Sequence, residues 1–380
     1  MGRHRWRDYN FYLLGSVLVL LGFSLLMVYS TMVGKSAVSY SGFHKHLLWL
    51  AMGLLAMMAF TVFDYHNLEV LAVPIYLAML VLLGLVFALG VVRGGAQSWI
   101  GTPLLSFQPA EPAKLLLIIA LAAWWSAREE QAHSWITLAV SLVLAGLPLV
   151  LVLLQPDFGT AMVMGFIWLA MAWNAGLRWR QLLVLMVLAV SLGFLGWNHV
   201  LKEYQKGRLE AFTMTEDKLA GIRDQKVHDA VAAVFYNVNQ SKVAIGNGGL
   251  LGQGWTEGTQ SQLNFLPVQY TDFIFAVTGE ELGFVGATLM LGFLCFVIWQ
   301  AITTASRARE SFGRLIAIGI AALIFVHTLE NVGMNMGIMP VTGIPLPFIS
   351  FGGSFTITLL MAIGLLQSIE IRRRSHTFYR

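Results

Sequence analysis

FYLLGSVLVLLGFSLLMVYS, residues 11–30, contains no charged side chain and no proline. A helix rises about 1.5 Å per residue, so a run of about 20 apolar residues crosses the hydrocarbon core of a bilayer. Inside that core a backbone must bond its own N–H and C=O groups, which a helix does. Working outward from this run, comparable stretches recur near 47–63, 70–92, 113–125, 136–154, 160–176, 181–199, 273–299, 315–336 and 354–371, ten in all. Hydrophobic residues make up 57% of the 380 and charged residues 12%, against roughly 25% charged in a soluble domain. The fold class is therefore an all-α polytopic membrane protein with ten transmembrane helices, residues 1–380 forming a single membrane domain. The fourth run is short; it could extend backward through Pro112, or lie tilted or partly shielded.

Lys and Arg in short loops set the orientation. Arg3, Arg5 and Arg7 precede the first span; Arg128, Arg178, Arg180, Arg307, Arg309 and Arg314 lie in alternate loops; Arg372, Arg373 and Arg374 follow the last. All fall on one side, and the opposite short loops hold only Lys35, Lys45 and Arg93. Both termini are thus expected in the cytoplasm, with the first run retained as a span rather than cleaved. The net charge of +4 follows from this topology and implies no nucleic-acid partner. A single cysteine, Cys295, excludes an intrachain disulfide.

Spans seven and eight are separated by a polar stretch, residues 201–272, expected as a large extracytoplasmic loop. It ends at Asp272, on the lip of the eighth apolar run. A carboxylate at that boundary can exchange protons while anchored to a rigid helix end. It could equally cap the helix starting at Phe273. The other outward connections, 93–112, QPDFGT at 155–160 and 337–353, are rich in Gly and Pro, which favour defined bends. With the large loop they would form one outward-facing site. No GxxxxGK, HExxH or GxSxG occurs, so nucleotide hydrolysis, zinc proteolysis and serine hydrolysis lack support.

Other polar residues stand at span ends. Glu111 and Lys114 are three apart and share a face if the fourth helix has begun there. Lys114 could meet a substrate phosphate with Glu111 holding it, or the two could form a structural ion pair. Asp157 precedes the sixth span, where it could cap the helix or share a cation with an anionic substrate. Glu280 lies roughly 80° around the helix from Asp272 and Glu281 roughly 180°, so only Glu280 approaches the same face.

SFQPAEPAKL (106–115), LLQPDFGTA (153–161), QSKVAIGNGGLLGQGW (240–255), GTQSQLNFLPVQYTDFIFAVTGEELG (258–283) and NVGMNMGIMPVTGIPLPFISFGGS (331–354) occur in this order. Together they resemble the SEDS family of peptidoglycan glycosyltransferases, and the GTQSQL form is similar to its elongation branch more than to its division branch. The resemblance implies an inverting transfer that polymerises lipid II, a disaccharide-peptide on undecaprenyl pyrophosphate, into glycan strands during elongation and cell-shape maintenance. It implies an inner (cytoplasmic) membrane location with an extracytoplasmic site, and a class B penicillin-binding protein as transpeptidase partner. Such a transfer needs one carboxylate base for the acceptor hydroxyl and positive charge near the departing phosphates.

By motif match Asp272 is that base. Lys114, Glu111, Arg208, Asp157, Trp99, Gln260 and Gln262 are the implied substrate contacts. For Trp99 the alternative is an interface anchor, for Arg208 a solvated loop charge, and for Gln260 and Gln262 pairing within the loop. A divalent cation, Mg or Mn, is the implied cofactor, with Asp157 and Asp272 as possible ligands; no organic cofactor is implied. Asn331 and residues 350–354 match the family as well and read as structural. The family's Pro-Glu-x-His-Thr-Asp is here Pro267, Val268, Gln269, Tyr270, Thr271, Asp272, which disfavours a two-carboxylate metal site at that spot. Its Gly-Ala-Gln-Arg-Trp has Ser98 for Arg, leaving Arg93 as the nearby charge. The alternative function is a flippase or other transporter of the lipid-linked precursor, which would place its polar site near the midplane.

Overall fold

The computed structural model describes residues 8–32, 37–93, 96–101, 106–199 and 225–373. Thirteen α-helices lie in these residues: α1 Phe11–Met32, α2 Ala37–Val62, α3 His66–Val70, α4 Ala72–Leu89, α5 Ala110–Ser126, α6 Trp135–Leu154, α7 Phe158–Ala175, α8 Trp179–His199, α9 Gln225–Gly248, α10 Thr259–Gln262, α11 Ile274–Arg307, α12 Ser311–Asn335 and α13 Gly353–Arg372. Eight of them, α1, α2, α4, α6, α7, α11, α12 and α13, are long and apolar enough to cross a membrane. The fourth and seventh expected spans correspond to α5, of 17 residues, and to α8, apolar over Trp179–Leu188.

α5 does extend backward through Pro112. Proline is tolerated there because first-turn N–H groups have no intrahelical acceptor. Its shortness is explained by its surroundings: α4, α6, α7, α12 and α13 pack around it, so it does not have to match the lipid alone. The most enclosed helices are α13, with 89% of its apolar window buried, and α12, with 72%, against 28% for α4. Between helices in lipid, close packing rather than water exclusion supplies the attraction. On the α2–α13 contact Gly53 faces Leu360 and Gly364 faces the Met57 carbonyl, approaches that a Cβ would block.

Two connections differ from the loops expected. Within 93–112 the chain forms a small antiparallel sheet of β1 Val91–Arg93, β2 Ala96–Gly101 and β3 Ser106–Phe107. Trp99 opposes Val91, and Ile100 opposes Phe107. Strand pairing satisfies backbone groups that a helix would otherwise bond internally. Within 201–272, α9 packs along α11 and α12 with Val231 and Ala244 buried, so this stretch is in part a helical wall.

α11 is broken at Gly283, which has φ 67° and ψ −168°. The 249–254 segment docks into the break. Gln253 N–H donates to the Glu280 carbonyl (2.9 Å) and Gly254 N–H to that of Glu281 (3.2 Å), while Phe284 N–H donates to Gly249 O (2.9 Å) and Val285 N–H to Leu250 O (3.1 Å). A Cβ on Gly248 would fall on the Gly279 carbonyl, and one on Gly283 on the Gly252 nitrogen.

Both ends of the described chain meet at one end of the bundle. Asn10 N–H donates to Gln367 Oε1 (3.0 Å), Gln367 Nε2 returns a bond to Asn10 O (2.9 Å), and Asn10 Nδ2 donates to Gln300 Oε1 (3.0 Å). Nearby, Arg372 pairs with Asp64 (3.4 Å), His66 with Glu310 (3.0 Å) and Arg373 with Glu370 (2.6 Å). The opposite end gathers β3, the start of α7, the 253–273 segment and the 337–352 segment.

Candidate functional site

Asp272 is half-buried on the turn that leads into α11. Its place is set through its backbone. Asn331 Nδ2 and Asn335 Nδ2 each donate to the Asp272 carbonyl at 2.9 Å. Ser350 Oγ donates to the Thr271 carbonyl (2.6 Å), and Phe351 N–H to that of Tyr270 (2.9 Å). Three consecutive carbonyls before the helix are thereby held by α12 and the 337–352 segment. The helix itself starts at Ile274, with Phe273 at its N-cap. Asn335 Oδ1 accepts the Ala276 N–H (3.1 Å), satisfying a first-turn donor from another helix.

Lys114 and Glu111 form a buried pair, with Nζ 2.9 Å from Glu111 Oε2 and the side chains 1% and 5% exposed. A charge removed from water this far must be compensated by neighbours. A second partner supplies that compensation: Lys114 Nζ lies 2.9 Å from His327 Nε2, and 5.3 Å from the Phe355 ring centre. His327 Nδ1 lies 3.1 Å from the Pro345 carbonyl, and its ring stacks on Phe355 at 4.7 Å.

Asp157 is the N-cap of α7. Its Oδ1 accepts Thr160 N–H (3.0 Å), and its Oδ2 accepts Thr160 Oγ1–H (3.0 Å) and Gln108 Nε2–H (2.9 Å). Gln108 N–H also donates to Ser354 Oγ (3.0 Å), beside Phe355, which ties the cap to the Lys114 cage. Both Asp157 oxygens are thus engaged by protein donors. Among the described residues no three His, Cys, Asp or Glu groups converge.

Gln262 pairs with the fold: its Nε2 donates to Ser30 O (3.2 Å), Ser30 Oγ (3.0 Å) and Glu281 Oε1 (3.2 Å). Gln260 contributes its backbone N–H, 2.6 Å from Glu280 Oε1. Glu280 does not turn toward Asp272; it also accepts from Ser261 N–H (3.0 Å) and Thr259 Oγ1 (3.3 Å), covering the start of α10. Glu281 accepts from Ser30 Oγ, Ser261 Oγ and Thr256 N–H. Trp99 is half-exposed on β2. Arg208 lies outside the described residues.

Three residues that hold this site were not singled out, or not for this role: His327, Asn335 and Gln108. A signal for the first two does exist in the sequence. His327, Asn331 and Asn335 recur every fourth position in an apolar span, so they share one helix face.

The FtsW, RodA and SpoVE family, described as cell cycle proteins, matches residues 11–375. The chain is 36% identical over 351 residues to the peptidoglycan glycosyltransferase MrdB of Escherichia coli K12, covering 92% of this chain and 91% of the relative. It is 31% identical over 429 residues to the peptidoglycan glycosyltransferase RodA of Treponema pallidum, covering 96% and 98%. Among solved structures, a chain of a peptidoglycan synthase complex that coordinates polymerization and crosslinking superposes with a TM-score of 0.79 at 30% identity, covering 97% and 99%. The rod shape determining protein RodA of Thermus thermophilus superposes at 0.70 with 28% identity, covering 97% and 99%.

Proposed function

Since this chain belongs to the FtsW, RodA and SpoVE family, the SEDS family that its motifs resemble, we propose that Asp272 is the general base of its transfer reaction. The protein is a multi-pass membrane peptidoglycan glycosyltransferase. Transport of the precursor is not favoured, because the relatives are named as peptidoglycan glycosyltransferases. Its substrate in this reading is lipid II, and its product the growing glycan strand.

The observation that carries the assignment is the way Asp272 is held. Asn331 and Asn335 grip its carbonyl, which fixes the Cα while leaving the carboxylate's position to the turn. A base must reach within hydrogen-bond distance of the proton it removes, so a rigid mounting point serves the reaction. The carboxylate takes the proton of the acceptor sugar hydroxyl as its oxygen bonds to the donor's anomeric carbon. The bond from that carbon to the pyrophosphate oxygen breaks, and the anomeric centre inverts. In this reading Lys114 is the cation that offsets the departing phosphates, with Glu111 orienting it. Asp157 shapes the site by starting α7.

A class B penicillin-binding protein is the partner in this reading, supported by the likeness to a chain of the synthase complex. The excess of Lys and Arg at the terminus-bearing end supports termini in the cytoplasm and a site on the outer face.

Asp272→Asn keeps size and leaves both asparagine bonds to the backbone carbonyl in place. With purified protein and lipid II, polymer formation is expected to fall about 100-fold or more, while insertion and thermal unfolding match wild type. Polymer synthesis within a few-fold of wild type would overturn the assignment.

A further inference from the structure

We propose that His327 is a positioning residue for the transfer reaction, holding Lys114 in fixed register with Asp272 along one face of α12. The proposal rests on the reading of Lys114 as the phosphate-facing cation.

The hydrogen bonds decide the protonation of the ring. Pro345 offers only a carbonyl, so His327 Nδ1 carries the proton and donates to it (3.1 Å). A neutral imidazole then presents a bare Nε2, which accepts an N–H of Lys114 (2.9 Å). Glu111 takes a second direction of the ammonium, and the Phe355 ring flanks it at 5.3 Å. Phe355 also stacks on His327, so one aromatic ring buttresses both partners. The ammonium is thereby confined to one position at 1% exposure.

The same helix face continues to Asp272. His327 binds Lys114 and Pro345 O; one turn on, Asn331 binds Ile344 O (2.8 Å) and Asp272 O; one turn further, Asn335 binds Asp272 O and Ala276 N–H. At a rise of about 1.5 Å per residue these three rungs span about 12 Å. α12 is thus a rigid spacer between the base and the cation, and the 337–352 segment is bonded to it at adjacent residues, Ile344 and Pro345. A shift of that segment would be transmitted to Lys114 through His327, just as it is to Asp272 through Asn331.

Three variants test this with purified protein and lipid II. His327→Gln keeps one donor and one acceptor and is expected to hold kcat within about threefold of wild type. His327→Phe keeps the stacking but loses both bonds, and kcat is expected to fall tenfold or more with KM changed less than threefold. Lys114→Gln is the control. If His327→Phe turns over like wild type while Lys114→Gln is inactive, His327 has no positioning role and the reading of Lys114 stands. If Lys114→Gln turns over like wild type, both are overturned. If His327→Phe fails to fold, His327→Gln and His327→Asn decide: equal kcat in the two, despite the shorter reach of Asn, overturns the proposal.

Discussion

Val268 adopts φ 50°, the left-handed region that a β-branched side chain disfavours. It begins the turn that carries Asp272, since its carbonyl accepts from Thr271 N–H (3.2 Å) and Thr271 Oγ1 (3.3 Å). Its side chain is 47% exposed, so little burial offsets the strain. Val268→Asn should therefore stabilise the protein by about 1 kcal/mol, because Asn tolerates this conformation. Equilibrium unfolding in detergent checks it, and a loss of stability would contradict the argument. At this scale the Asp157 cap was legible, by local helix-start chemistry.

The break in α11 belongs to the scale of elements. On a helical projection Glu280, but not Glu281, would approach the face of Asp272. Their carboxylates instead cover the start of α10 and the 253–262 segment, while Gly283 lets the helix open to receive 249–254. Two glycines two positions apart, Gly246 and Gly248, behave oppositely here. A Cβ on Gly248 would strike the Gly279 carbonyl, whereas one on Gly246, in the same helix, meets only open space. Gly248→Ala should lower stability by about 1–3 kcal/mol, the usual cost of overpacking. Gly246→Ala should raise it by about 0.5–1 kcal/mol, through helix propensity. Thermal unfolding of the pair in the same detergent distinguishes a docked joint from a solvated loop; equal effects would count against docking. The 93–112 sheet was illegible because its stability comes from what it pairs with, and a short alternating stretch beside long apolar runs gives no periodic signal of its own.

For the whole molecule, the staple between the terminus-bearing loops makes a pH-dependent contribution. Burial would raise the Asp64 carboxyl, but bonds from His66 and the charge of Arg372 outweigh it and hold it below the ordinary carboxylate value. A carboxyl lowered in the folded state adds stability that is present above its unfolded pKa and lost as pH falls through the folded one. Between pH 5 and pH 3, then, wild type should lose more stability than Asp64→Asn, with the difference opening below about pH 4. Parallel melting curves for the two would show that the staple contributes nothing. Exposure of the pair keeps the effect modest.

Composition and run length by themselves determined that this chain is a membrane protein, roughly where its helices lie and which polar residues end them. Those properties are local: a bilayer demands about 20 apolar residues in a self-bonded helix wherever the chain crosses it. Its motifs determined the family and the reaction class. Only the tertiary structure decided that Lys114 meets His327, 213 positions away, that two asparagines of α12 hold Asp272, and that Asp157 is committed to capping. Helices in lipid choose their neighbours by shape and by matching polar groups across the contact. That matching is a property of two surfaces together, and it is written in neither helix alone.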